Sequence, residues 1–351
     1  MGHDVYAGVA RATAGSYRTV SVPPPPVSSI RIPSRWWQGI IRQYEPDICV
    51  LSKPGFYSHT LWLDLAIRLG GRRYVVIEHH PAYKPDRPLA VRGVSLLERA
   101  GLLRRFVRHR IHAAVSHRVI ADSRRVAETL HEYYGMSRAK TFLVPWGVDA
   151  ESFVFRPEAR AGLRERWGLP PDALVVGSVS RLDPIKALER SIEAFAALRR
   201  QSPDANAWLV LAGAGPDHER LRSIATRHGV CDRLVMPGWV DDSADAMSAL
   251  DVFLMPSREE GLGMALLEAM ACERVCVGMD SGGPADILTD ARLGWLTPAD
   301  DQVAFTAALL AAAGATPQQR QVMGMAARAH VQEHFDKARQ LGRIVELIAT
   351  V

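Results

Sequence analysis

Two glutamates, Glu260 and Glu268, flank a glycine-rich run, Gly261-Leu262-Gly263, that opens an apolar-periodic segment over residues 264–272. The apolar run before it, 251–255, reads as a buried parallel strand, so the pattern is strand, glycine loop, helix. In that setting glycines let backbone come close to a ligand, and the unpaired amides of the first helical turn, at Gly263, Met264 and Ala265, seat phosphate oxygens. One carboxylate lies in the loop and the other about a turn and a half into the helix, so they reach different heights of one entrance. One fits the hydroxyls of a sugar and the other a ribose. A glutamate on a helix is in most proteins only solvated surface, so the pair gains weight from cations elsewhere in the chain.

Two such cations stand earlier. The apolar strand 173–179 delivers Ser180-Arg181-Leu182-Asp183-Pro184-Ile185-Lys186 into a helix expected over 187–199. Arg181 and Lys186 then sit at the carboxyl end of that strand, where two positive charges can meet a diphosphate. Their chemistry is to neutralise the charge on a departing nucleotide, which a metal does elsewhere. The next strand, 209–212, runs into Gly213-Ala214-Gly215-Pro216, a sharp turn beside the same place. A further strand, 232–236, leads to Pro237-Gly238-Trp239-Val240, where Trp239 reads as core packing, with stacking on a base as the sharper alternative. The strand 74–78 ends in Glu78-His79-His80-Pro81, which puts His79 at a carboxyl end, where doubly wound sheets place ligands.

The elements that position these residues alternate between strand and helix. In the first half, strands are expected at 5–10, 19–22, 47–51, 74–78, 118–121 and 141–144. Helices are expected at 34–44, 59–69, between 94 and 113, and from Ser123 onward. This alternation, repeated after residue 173, argues for an α/β chain of two doubly wound parallel sheets. A length of 351 residues with 48% hydrophobic content suits two cores of ordinary size. The boundary falls near Phe155, giving domains 1–155 and 156–335, with a last helix over 336–348 expected to pack back on the first domain. No apolar run approaches the roughly 20 residues that cross a bilayer, which points to the cytoplasm. Cys49, Cys231, Cys272 and Cys276 read as reduced core residues.

Charge is uneven. Residues 1–150 carry 22 Lys and Arg against 11 Asp and Glu, net +11, while the remainder is net −6, within a total of +5. The first half therefore suits an anionic neighbour. The cluster Arg104, Arg105, Arg108 and Arg110, with leucines interleaved, reads either as core-packed helices with solvated arginines or as a face resting on anionic lipid at the inner membrane surface. The first reading is favoured because exposed aromatics are lacking. The arginines spread over several helices without a nucleic-acid motif, so no nucleic acid is expected.

Taken together, the motifs resemble the retaining, GT-B-fold glycosyltransferases known as glycosyl transferases group 1, or family 4. The resemblance rests on the Glu260 and Glu268 spacing behind Gly-x-Gly, on Pro145-Trp146-Gly147-Val148-Asp149, on Arg181-Leu182 followed by Lys186, and on the glycine turns at 280–286 and 294–298. It implies two Rossmann-like domains and a nucleotide-diphosphate sugar donor of UDP or GDP type. It also implies a glycan, lipid-linked or small-molecule acceptor, and neither metal nor other cofactor. Glu260, Lys186, Arg181 and His79 would be catalytic, with His79 on the transferred sugar. Glu268, Gly261, Gly263, Met264, Ala265, Gly213, Gly215, Trp239 and Val240 would hold the donor. The chain departs from the family pattern in two places. Ser180 and Ala187 stand where the family has glycine. The opening Met1-Gly2-His3-Asp4-Val5 matches words that in the family precede the second strand, so the first strand, its glycine loop and first helix are expected to be missing. That leaves as an alternative a non-catalytic relative that holds a nucleotide sugar as a partner subunit.

Overall fold

The computed structural model describes residues 7–13, 16–21, 39, 42–43, 47–53, 67–68, 70–79, 107, 110–111 and 113–351. The expected helices at 34–44, 59–69 and 94–113 lie largely outside these residues, as do His80, Arg104, Arg105, Arg108 and the opening pentapeptide. Contacts divide the chain into two units, residues 1–145 with 342–351, and residues 146–341. The first division falls about ten residues before the expected boundary at Phe155.

The first unit holds a six-stranded sheet in the order β2-β1-β3-β4-β5-β6. Its strands are β1 (Ala7–Thr13), β2 (Ser16–Ser21), β3 (Ile48–Lys53), β4 (Arg73–Glu78), β5 (Arg118–Ala121) and β6 (Thr141–Leu143). From β3 to β6 the strands are parallel, as the alternation predicts. The first two strands correct the expectation: β1 and β2 form an antiparallel hairpin with Thr13 opposite Ser16, and β1 also runs antiparallel to β3. Two intervening residues suffice for an antiparallel turn, whereas parallel neighbours need a crossover of roughly a dozen or more. Helix α1 (Arg124–Tyr134) starts where Ser123 Oγ accepts from Val126 N at 3.2 Å and stops at Gly135, whose φ of 63° is left-handed. Its buried Val126, Leu130 and Tyr134 fall four residues apart on one face.

Near the other end of the chain, α10 (Lys337–Ala349) has its residues from Gly342 onward grouped with this first unit. Arg118 on β5 donates to Leu347 O at 2.6 Å and to Thr350 O at 2.7 Å, which satisfies carbonyls that the helix end leaves open.

The second unit has six parallel strands in the order β12-β11-β10-β7-β8-β9. They are β7 (Leu174–Val179), β8 (Ala207–Ala212), β9 (Leu234–Val235), β10 (Val252–Met255), β11 (Val275–Met279) and β12 (Trp295–Thr297). Helix α2 (Pro157–Arg166) precedes the sheet. The connections are α3 (Glu189–Gln201), α4 (His218–Arg227), α5 (Ser243–Ala249), α6 (Met264–Ala271) and α7 (Pro284–Ile287), and α8 (Gln302–Gly314) and α9 (Pro317–His334) follow.

Apolar runs without alternation make sense here because both faces are buried. Val175, Val210, Phe253 and Cys276 join one core with α5, α6 and α9. Val176, Leu209, Leu254 and Val277 join the other with α3, α4 and α8.

At the amino ends of β7 and β10, Asp251 ties the strands together. Arg160 and Arg164 reach it at 2.6 and 2.9 Å, and Val175 N donates to it at 2.8 Å. Burial opposes its charge, yet the two guanidinium groups hold its carboxyl below the usual range.

In this strand order the chain lays β8 and β9 to one side of β7, then returns to place β10 on the other. The loops after β7 and β10 therefore diverge, and the carboxyl ends of these two strands border the crevice where open α/β sheets bind ligands.

Three local expectations are corrected. The helix expected from Ala187 begins at Glu189, because Pro184–Lys186 forms a 3-10 turn and Ala187 is left-handed with φ 49°. Cys231 is exposed rather than in a core; all four cysteines are free. Trp239 is 73% exposed, so the packing reading fails there.

Candidate active site

The loop after β7 is shaped by Asp183, whose side chain accepts from Ile185 N at 3.1 Å and caps the 3-10 turn. That turn aims Lys186 at the loop after β10, where its Nζ lies 2.6 Å from Glu260 Oε1. The side chains are 22% and 10% exposed, which keeps the pair mostly out of water but reachable from the crevice. Arg181 stays on the same loop, 67% exposed, with Nη1 3.2 Å from Asp183 Oδ2. Lys186 and Glu260 are thus brought together, while Arg181 turns to its neighbour and to solvent.

Glycines after β8 let this loop sit where it does. Gly213 has φ 137°, and a Cβ there would fall 1.8 Å from Ser180 O. A Cβ at Gly215 would fall 2.1 Å from Leu182 O. Both glycines are therefore required by backbone packed on backbone, independent of any ligand. Gly213 N also donates to Gly238 O at 2.8 Å, which ties in the loop carrying Trp239 and Val240.

The loop after β10 is strapped on its other side. Glu260 N donates to Ser281 O at 3.1 Å, and Gly283 N donates to Glu260 O at 3.2 Å. Gly263, with φ 97°, then turns the chain into α6. The amides of Met264 and Ala265, the first two of α6, have no acceptor among the described residues. They face the entrance with the positive end of the helix dipole behind them. One turn further, Glu268 has neither hydrogen bond nor ion pair among the described residues, and burial pushes its carboxyl above the usual range. An acid held without a partner has both oxygens left to accept from hydroxyls.

Contacts both local and distant supply residues that sequence reasoning missed. Ser257 Oγ donates to Glu260 Oε1 at 2.7 Å. Glu189, at the start of α3, accepts from Arg258 through Oε1 and from Arg220 through Oε2, the latter at 2.9 Å. Arg220 also grips Asp217. This chain of charges links the loops after β7, β8 and β10 across 31 to 69 positions of sequence, and no local spacing announces it.

In the first unit, His79 follows β4 and its Nδ1 lies 3.8 Å from Asp122 Oδ2. Parallel pairing of Glu78 with Ala121 makes His79 and Asp122 the next residues in step, a signal that could have been read once the two strands were aligned. Among the described residues, no three His, Cys, Asp or Glu side chains gather in a way that could hold a metal ion.

Comparison with known proteins bears on the fold and the family. Residues 160–330 match the family described as Glycosyl transferases group 1, and residues 1–152 match Glycosyltransferase Family 4. A GDP-mannose-dependent alpha-(1-6)-phosphatidylinositol monomannoside mannosyltransferase of Mycolicibacterium smegmatis is 36% identical over 228 residues, 62% of this chain and 58% of that protein. The 2-deoxystreptamine N-acetyl-D-glucosaminyltransferase of Streptomyces fradiae is 31% identical over 280 residues, 76% of this chain and 62% of its own length. The aligned regions thus span roughly three-fifths of each of these relatives. A crystal structure of Anabaena HepE in complex with UDP shares the fold, with a TM-score of 0.75 at 20% identity over 91% of this chain and 82% of that one.

Proposed function

From a GT-B fold whose two halves match two glycosyltransferase family models, we propose that the chain is a glycosyltransferase that moves a sugar from a nucleotide-diphosphate donor of UDP or GDP type to a glycan, lipid-linked or small-molecule acceptor. Retention of configuration and independence from metal are part of the proposal. The observation that carries it is the Lys186 and Glu260 pair at the carboxyl ends of β7 and β10, beside the amides of α6 and the carboxylate of Glu268, which have no partner among the described residues.

Each group has an assigned task. Lys186, Arg181 and the amides of Met264 and Ala265 take the diphosphate charge as it develops. Glu268 accepts from the ribose hydroxyls, Glu260 orients the sugar, and His79 is assigned to the same sugar. Gly261 and Gly263 keep the backbone close to the phosphates, and Gly213 and Gly215 support the loop that carries Arg181. Trp239 and Val240 border the base. In the transfer step the acceptor oxygen bonds to the anomeric carbon on the face from which the diphosphate departs. The anomeric carbon–oxygen bond to phosphate breaks, and the acceptor's proton passes to that phosphate oxygen. A cytoplasmic location, with lipid-linked acceptors met at the inner membrane face, belongs to the same reading.

A thermal-shift screen with UDP, GDP and ADP and their sugars tests it, since a ligand bound only by the folded state raises the melting point. We expect a rise with a UDP or GDP compound that Lys186→Ala and Glu268→Ala each abolish. Mutants that respond like the parent would remove the pocket assignment.

A further inference from the structure

We infer that Ser257 is a positioning residue that fixes the plane of the Glu260 carboxylate, an inference that rests on the reading of Glu260 as the group orienting the sugar. The terminal torsion of a glutamate is soft, and either oxygen serves equally well toward a lone cation. Lys186 by itself would leave the carboxylate free to exchange its two oxygens. Ser257 removes that freedom. Its Oγ donates to Glu260 Oε1 at 2.7 Å, the same oxygen that Lys186 Nζ holds at 2.6 Å. With both donors on Oε1, Oε2 accepts from no group among the described residues and is left for a sugar hydroxyl.

Ser257 is itself held firmly. It is 3% exposed, and the residues on both sides of it are held by the first turn of α3. Arg190 donates to Pro256 O at 3.3 Å, and Glu189 accepts from the Arg258 guanidinium. Arg258 N also donates to Ile185 O at 2.9 Å, one residue before Lys186. The two donors that meet on Oε1 are thereby mounted on one bracket, and their spacing is set by helix α3 rather than by the ligand. A rigid mount of this kind is what a group acting on a sugar in transit requires, because misplacement by about 1 Å costs roughly a hundredfold in rate.

The test measures release of nucleoside diphosphate from UDP-glucose and from GDP-mannose by the full chain and four variants: Ser257→Ala, Ser257→Cys, Glu260→Gln, and Ser257→Ala with Glu260→Gln. Losing a hydrogen bond to a charged group, Ser257→Ala is expected to slow turnover roughly 10- to 100-fold, yet by no more than about twofold in the Glu260→Gln background. Ser257→Cys keeps the volume with a weak donor and should fall between Ser257→Ala and the parent. The melting-point rise with UDP or GDP should survive in Ser257→Ala, which a merely structural role would not predict.

Parent-like turnover in both Ser257 variants, the same loss in both backgrounds, or loss of the UDP and GDP response would each overturn the inference. Parent-like turnover in Glu260→Gln would instead remove the reading on which it rests.

Discussion

Glu260→Gln takes away one negative charge at nearly constant volume, and it should move binding and turnover in opposite directions. Lys186 Nζ stands 2.6 Å from Glu260 Oε1. A phosphate oxygen hydrogen-bonded to the far side of that ammonium would lie roughly 5 Å from the carboxylate. Two like charges at that separation repel by about 1 kcal/mol in a water-like medium and about 3 kcal/mol at an effective dielectric of about 20. With the two side chains 22% and 10% exposed, the site falls between these limits. Removing the repulsion is therefore expected to tighten binding of free UDP or GDP by roughly tenfold, about 1.4 kcal/mol. Sugar orientation is lost at the same time, so turnover should fall roughly a hundredfold. Calorimetric titration with the nucleoside diphosphate, alongside diphosphate release from UDP-glucose or GDP-mannose, measures both. A variant that binds the diphosphate more weakly than the parent would refute the reasoning, because Glu260 would then lie away from the phosphates.

Other outcomes follow from the same structure. Burial raises the folded-state pKa of Glu268, so the protein loses stability as pH rises through that folded value, and the loss is absent below the ordinary carboxylate range. Glu268→Gln should therefore stabilise the unliganded protein by about 1 kcal/mol at pH 8, a few degrees in melting point, give no gain near pH 4, and abolish the UDP or GDP response. Equal gains at both pH values would point to another cause. Asp251→Asn should cost about 3–5 kcal/mol in chemical denaturation, because Arg160 and Arg164 lose the carboxylate that compensates them. A cost under about 1 kcal/mol would mean the pair is well solvated. EDTA should leave turnover within about twofold, since the proposal meets the diphosphate charge with side-chain cations and neutral amide donors; a loss restored by magnesium or manganese would contradict the metal-independent proposal.

Legibility followed the range of the interactions. Strands such as β7, β8 and β10 could be read because burial on both faces demands uninterrupted apolar runs, and α1 because Ser123 and Gly135 mark its ends. The N-terminal strands were misread in direction, since composition says nothing of which neighbour a strand pairs with; with strands expected at 5–10 and 19–22, the two-residue gap before Ser16 that favours a hairpin did not show. Ala187 looked like a helix start because alanine favours helices, yet the preceding 3-10 turn forces it into a left-handed conformation. At the site, Lys186 and Glu260 are 74 positions apart; the family resemblance placed them in one site, but their direct ion pair was not foreseen. Ser257 stood in plain view three residues before Glu260, but a hydroxyl in a loop carries no pattern until its acceptor is known. The Glu189 and Arg258 contact had no local signal at all.

The central claim is that the crevice at the carboxyl ends of β7 and β10 holds the diphosphate of a nucleotide sugar. A crystal structure of the full chain with bound UDP or GDP tests it most directly. The pyrophosphate should lie against Lys186 Nζ and the amides of Met264 and Ala265, with the ribose hydroxyls on Glu268. Nucleotide bound elsewhere on the second unit, with Lys186, the amides of Met264 and Ala265, and Glu268 all untouched, would contradict it.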